Sequence, residues 1–328
     1  MIETVGVIGG GAWGTALAQV AASGGKETLL WAREPEVVEG INHRHENGLF
    51  LAGIPLRPQI RATGDLAELS GCDALLVVTP AQHTRAVLAS TSLHGKPLIL
   101  CAKGMEEATT KLMHDVAREE QPGSPIAVLS GPTFAHEVAA GLPAAVTLAV
   151  DDEAVGEAIR ARLARAAFRP YLSDDVVGAE IGGAVKNVLA IACGVVEGRG
   201  LGQNARSALI SRGFAEMTRF GLARGARAET LAGLSGLGDL VLTCSSTSSR
   251  NFSLGKGLGE GKAAADLLAD RRTVAEGAYT APVLQRAASA AGVDMPIVAA
   301  VNALLCGEAS VDEVLERLLS RPLKSESA

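Results

Sequence analysis

Six short runs that are apolar throughout, rather than in alternation, punctuate the chain up to Val150: "TVGVIG" at 4–9, "TLLWA" at 28–32, "DALLVVT" at 73–79, "PLILCAK" at 97–103, "PIAVLS" at 125–130 and "AAVTLAV" at 144–150. A strand with one wet face alternates between apolar and polar residues, whereas a strand covered on both faces does not. These runs therefore predict a largely parallel sheet with crossover helices on either side. After "RPYLS" the strand signals stop, Asp174 and Asp175 read as helix-start signals, and the rest of the chain to Ala328 is an Ala- and Leu-rich helical pattern broken by glycine loops. The expected organisation is an α/β domain over residues 1–174 and an all-helical domain over 175–328. Within the latter, "IGGAVKNVLAIACGVV" (Ile181 to Val196) is nearly all apolar but short for a membrane span and carries Lys186, so it predicts a helix buried in its domain.

A net charge of −6 excludes the broad basic surface that nucleic-acid binding needs, while leaving room for local Lys and Arg to hold a small phosphate. The five cysteines are scattered and form no CxxC pair, so neither a disulfide framework nor a zinc site is expected. His43 and His45, in "NHRHENG", are the one close histidine pair and read as surface residues rather than metal ligands. The start of the chain lacks a basic stretch followed by a cleavage-type site, which makes the cytoplasm the expected compartment. A homodimer is the expected assembly.

The chemistry begins at "VIGGGAWGTALA". Gly9, Gly11 and Gly14 fit GxGxxG directly after the first strand and at the mouth of a helix, which is the context of a dinucleotide-binding turn. Gly9 permits the tight turn, Gly11 lets backbone approach a pyrophosphate, and Gly14 allows close packing, while the helix N-terminus offers N–H groups to the anion. At the end of the second strand, "LLWAREPE" places Arg33 where a ribose-binding carboxylate would stand in an NAD-selective protein. A guanidinium suits a 2′-phosphate, so NADPH is the expected cofactor, with NADH possible. Lys103, in "CAKGME", and the "SGPTFAHE" stretch follow strands on the side where open α/β sheets bind ligands. Lys186 sits with Asn187 on a helix that has no polar face, and desolvation of that kind favours proton release, making it a candidate general acid/base. Finally "LGDLVLTCSSTSSRNFSLGKG" (Leu237 to Gly257) reads either as a flexible Ser-rich connector or as a cup for an anion. It lies inside the helical region rather than between domains, and its hydroxyls, Arg250 and Asn251 are donors of the kind a phosphate accepts.

The stretches "GGGAWGTALA", "LWAREPE", "CAKGME", "SGPTFAHEV", "AVKNVLAIACG", "LSGLGDLVLTCSSTSSRNFSLG" and "TVAEG" together resemble the bacterial NAD(P)-dependent glycerol-3-phosphate dehydrogenase family, in the family's order from Gly9 to Gly277. The resemblance implies a Rossmann-like domain followed by an all-α domain similar to that of 6-phosphogluconate dehydrogenase, with the active site in the cleft between them. The implied reaction is the reversible reduction of dihydroxyacetone phosphate to sn-glycerol 3-phosphate, which supplies glycerophospholipid synthesis. By the same resemblance Lys186 is the catalytic lysine with Lys103 and Asp239 beside it. Gly131, Thr133, Ser249, Arg250 and Asn251 are substrate contacts. Ala12, Trp13, Arg33, Ala135, Val274 and Glu276 are cofactor contacts, Lys103 and Arg250 touching both ligands. Ala12 departs from the family, which often has serine there. A 6-phosphogluconate or 3-hydroxyacid dehydrogenase, or a catalytically silent cofactor sensor, are the rival readings.

Overall fold

The protein is described from a computed structural model covering residues 2–93, 95–269 and 275–322. All six expected strands form, and two more join them. The eight are β1 (Val5–Ile8), β2 (Thr28–Trp31), β3 (Ile60–Thr63), β4 (Ala74–Val77), β5 (Leu98–Leu100), β6 (Ile126–Ser130), β7 (Ala144–Val150) and β8 (Phe168–Ser173). The helices between them are α1 (Ala12–Ala22), α2 (Pro35–Glu39), α3 (Ala81–Ala89), α4 (Met113–Glu120), α5 (Ala135–Ala139) and α6 (Glu153–Leu163). Then come α7 (Val176–Gly198), α8 (Gly202–Ala223), α9 (Ala228–Leu231), α10 (Asp239–Cys244), α11 (Arg250–Gly259), α12 (Ala264–Leu268), α13 (Glu276–Ala290), α14 (Pro296–Cys306) and α15 (Val311–Leu319), with no strand after β8 among the described residues.

The sheet runs in the order β3-β2-β1-β4-β5-β6-β7-β8. It is parallel except at the β6/β7 pair, where the chain turns back. The strand order reverses direction between β1 and β4, the kind of point beyond whose C-terminal strand ends open α/β sheets bind ligands. Alternate residues of the same strands face opposite layers: Val7, Leu30, Leu76 and Ile99 pack with Leu17 of α1 and Ile159 of α6, while Ile8, Leu75, Val77 and Leu98 pack with Leu88 of α3 and Val116 of α4. That double coverage is why the runs read as apolar throughout.

Both sheet edges are partly capped. In a parallel ladder only alternate residues bond to a given neighbour, and of the two residues of β3 left facing outward, Ile60 donates its N–H to the Arg57 carbonyl at 3.1 Å and Ala62 has both backbone groups taken by the Asn42 side chain at 2.8 and 2.9 Å. On β8, Phe168 exchanges two backbone bonds with Arg165, at 2.8 and 3.1 Å. Pro170, two residues on, has no N–H to offer.

The chain divides into two compact units, residues 1–183 with 225–239, and residues 184–224 with 240–328. The first holds the sheet. In the second, glycines allow α7 and α11 to meet backbone to backbone: a Cβ on Gly194 would lie 2.1 Å from the Phe252 carbonyl oxygen, and one on Gly255 would lie 1.9 Å from that of Ile191. Also in this unit, the buried Glu216 carboxylate of α8 accepts the Ile297 and Val298 N–H groups at the start of α14, and burial pushes it up to about 7. Helix α7 has 23 residues, longer than the apolar run predicts, because Asp175 accepts the Gly178 N–H at 2.8 Å and starts the helix early. It is thus long enough to cross a bilayer. What argues against a span is burial, since 94% of its most apolar window is enclosed by protein.

Candidate active site

The glycine turn joins β1 to α1. Gly9 has φ +127, and a Cβ there would press to 2.8 Å from the Val78 carbonyl oxygen. A Cβ on Gly14 would fall 1.8 Å from the Gly9 carbonyl oxygen, so only glycine allows this helix to approach its own turn. Gly11, the N-cap, has no heavy atom within 4 Å of where a side chain would begin, so its backbone borders open space. No side chain caps α1, which leaves the N–H groups at Ala12, Trp13 and Gly14 for an anion. Gly10, passed over in sequence reasoning, is equally constrained: a Cβ would lie 2.5 Å from that of Ala32. These residues fit a dinucleotide pyrophosphate. Arg33 lies two residues past the end of β2, its side chain 80% exposed and 3.1 Å from the Glu34 carboxylate. Ala135 opens α5. The indole N–H of Trp13 is buried and has no hydrogen-bond partner among the described residues. Val274 lies outside the described residues.

Beyond the ends of β5 and β6, a second group gathers. Lys103 Nζ donates to Asp239 Oδ2 at 2.7 Å and to the Gly131 carbonyl oxygen at 3.2 Å. Asp239, the first residue of α10, is fully buried. Gly131 has φ +156, and a Cβ there would lie 2.9 Å from Val146 Cα; the Thr133 hydroxyl donates to the same Gly131 carbonyl at 3.2 Å. Helix α7 passes close over this pair, since a Cβ on Gly183 would lie 3.3 Å from Lys103 Cγ. A lysine and an aspartate 136 residues apart in sequence are thus held as one ion pair, with the carboxylate fully buried and the ammonium partly so.

In the helical unit Lys186 is 5% exposed and donates to the Thr243 hydroxyl at 2.9 Å. Thr243 stands one turn after Asp239 on α10. The serine-rich stretch is ordered around α11: Ser249 is its N-cap, its hydroxyl accepting the Phe252 N–H at 3.2 Å, and Arg250 is the exposed first residue. Asn251 is more engaged than its sequence suggests. It donates to Asn187 Oδ1 at 3.0 Å and accepts the Gly277 N–H at 2.9 Å, tying α7, α11 and the start of α13 together. That leaves one amide N–H of Asn251 for a ligand. Glu276 opens α13 next to Gly277. Among the described residues no group of three or more His, Cys, Asp or Glu side chains is gathered for a metal ion.

A glycine turn at a helix N-terminus, set where the strand order reverses, defines the class of dinucleotide-binding α/β proteins. Residues 4–156 match the family model described as NAD-dependent glycerol-3-phosphate dehydrogenase N-terminus, and residues 175–316 match that of the C-terminus. The chain belongs to the NAD-dependent glycerol-3-phosphate dehydrogenase family. It is 65% identical over 326 residues to glycerol-3-phosphate dehydrogenase [NAD(P)+] of Erythrobacter litoralis, covering 99% of this chain and 98% of the relative. With the protein of the same name from Novosphingobium aromaticivorans it shares 64% identity, over 100% of this chain and 99% of the relative. The crystal structure of glycerol-3-phosphate dehydrogenase from Coxiella burnetii superposes with a TM-score of 0.93 at 35% identity, covering 98% of this chain and 99% of that one.

Proposed function

We propose that this protein catalyses the reversible NAD(P)-dependent reduction of dihydroxyacetone phosphate to sn-glycerol 3-phosphate, in the cytoplasm, supplying the backbone of glycerophospholipids. The observation that supports the reading is the Lys103–Asp239 ion pair, its aspartate fully buried, beside Gly131 and Thr133 at the ligand-binding ends of β5 and β6. Family membership across both parts of the chain supports it. The nicotinamide cofactor, when bound, supplies the hydride to the C2 carbonyl carbon.

The chain's own residues have three tasks. The region 1–174 seats the cofactor, through Gly9, Gly11, Ala12, Trp13, Gly14, Arg33 and Ala135. The region 175–328 brings Lys186, whose ammonium stabilises the alkoxide developing at the C2 oxygen and delivers its proton; in the reverse direction the neutral amine is the base. Asp239 balances the charge of Lys103, and Lys103 with Gly131 and Thr133 orients the substrate. Ser249, Arg250 and the remaining amide N–H of Asn251 hold the phosphate at the N-terminus of α11, where the helix dipole also favours an anion.

The test is the oxidation of NADPH and of NADH, followed separately, with dihydroxyacetone phosphate. Turnover is expected with this substrate and not, in the reverse direction, with 6-phosphogluconate or a 3-hydroxyacid; the opposite pattern would place the enzyme in the rival class. Cofactor choice has its own prediction. Arg33 stands at the end of β2 with most of its guanidinium in solvent, so Arg33→Asp will shift the ratio of specificity constants from NADPH towards NADH. A carboxylate repels the 2′-phosphate and accepts hydrogen bonds from ribose hydroxyls. An unchanged ratio would put Arg33 outside the adenosine pocket.

A further inference from the structure

We propose that Asn47 is a positioning residue for the cofactor pyrophosphate: it fixes the peptide plane that aims the Gly11 N–H at the ligand. This rests on the reading of the Gly9–Gly14 turn as the pyrophosphate seat. Asn47 belongs to "NHRHENG", where the histidines draw the eye, yet His43 and His45 lie exposed while Asn47 is completely buried. Its amide nitrogen donates to the Gly10 carbonyl oxygen at 2.8 Å and to the Thr15 hydroxyl at 2.8 Å. Its amide oxygen accepts the Phe50 N–H at 3.1 Å. That third bond fixes which end of the amide faces the turn, because the oxygen is already claimed by a donor.

The consequence follows from peptide geometry. In a trans peptide the carbonyl of one residue and the N–H of the next point in opposite directions. With the Gly10 carbonyl drawn inward onto Asn47, the Gly11 N–H is turned the other way. Glycines at positions 10 and 11 have wide backbone freedom, so this plane could rotate at little cost were nothing holding it. Asn47 is itself held. The turn around it is closed by Glu46 N–H on the Gly40 carbonyl and by Leu56 N–H on that of His45, at 3.2 and 2.7 Å, and Leu51 N–H donates to the Asn47 backbone carbonyl at 2.9 Å. The connection from α2 to β3 thus serves as a strut under the cofactor turn.

The experiment uses Asn47→Asp, which keeps the shape and the acceptor for Phe50 but replaces the donor with an oxygen that repels the Gly10 carbonyl. Binding of ADP-ribose, which carries the pyrophosphate, and of adenosine 2′-monophosphate, which lacks it, is measured by calorimetry on wild type and variant. The expected result is a loss of about tenfold or more for ADP-ribose with the affinity for adenosine 2′-monophosphate unchanged, and a matching rise in KM for NADPH without one in KM for dihydroxyacetone phosphate. Equal losses on both fragments would make Asn47 a general support of the domain, and no loss on either would remove it from cofactor binding; both outcomes overturn the proposal. If the aspartate variant fails to fold, Asn47→Ser, shorter and uncharged, is put through the same comparison. Should wild type itself not bind ADP-ribose, the reading of the glycine turn fails first, and that is a different result from a variant equal to a binding-competent wild type.

Discussion

Replacing Lys186 with methionine will abolish turnover while leaving NADPH binding intact. The two side chains are similar in length and the position is buried in α7, so the change removes a charge while nearly keeping the volume. The hydrogen bond from Lys186 to the Thr243 hydroxyl is lost as well, a modest cost readable as a shift in Tm. General acid catalysis contributes about 10²–10⁴-fold, and loss of the ammonium that stabilises the alkoxide adds to it. Steady-state assay with cofactor binding measured separately distinguishes chemistry from affinity. A variant that kept more than about a tenth of wild-type turnover would show that another group delivers the proton.

Arg250→Ala will lower kcat/KM for dihydroxyacetone phosphate by about tenfold for one charge-assisted hydrogen bond, and further if the guanidinium binds two phosphate oxygens. Arg250 is exposed at the first position of α11, so its removal has little to disturb in the fold. The decisive comparison is unphosphorylated dihydroxyacetone, on which wild type itself will be very poor because binding energy from the phosphate helps orient the carbonyl. Variant and wild type should be nearly equal on that truncated substrate at saturating NADPH. A similar loss on both substrates would assign Arg250 to the cofactor or to loop structure, and no loss on either would return the serine-rich stretch to a simple connector.

How much of this was legible beforehand differs between elements for physical reasons. The six central strands are readable because burial on both faces forbids polar residues along the whole run. β3 is not, since "IRAT" is four residues long with an exposed arginine inside it. β8 is hidden by Pro170 and by exposed Arg169 and Tyr171, which is how an edge strand is written. The reversal of β7 leaves no mark, because an apolar run has the same composition in either direction. Lys103 and Asp239 are each visible as polar residues in apolar frames, but their pairing is a tertiary fact that no local spacing encodes. Ser249 and Asn251 look like a row of phosphate donors; what the sequence does not show is that the first also caps a helix and the second also clips three helices together, since Ser and Asn side chains serve backbone groups as readily as ligands. Asn47 was missed altogether: an asparagine two residues past a histidine in a polar loop carries no sign that it is the one buried residue there.

The two partly capped edges of the sheet bear on how copies of this chain meet. Many proteins dimerise, exchange segments or aggregate by letting one sheet continue into the next across an open border strand. Here Asn42 occupies the outward face of β3, and Arg165 and Pro170 close most of that of β8. Continuation of this sheet into that of a second copy would accordingly have to displace these groups first, so the sheet that carries the cofactor turn is guarded against pairing across its borders.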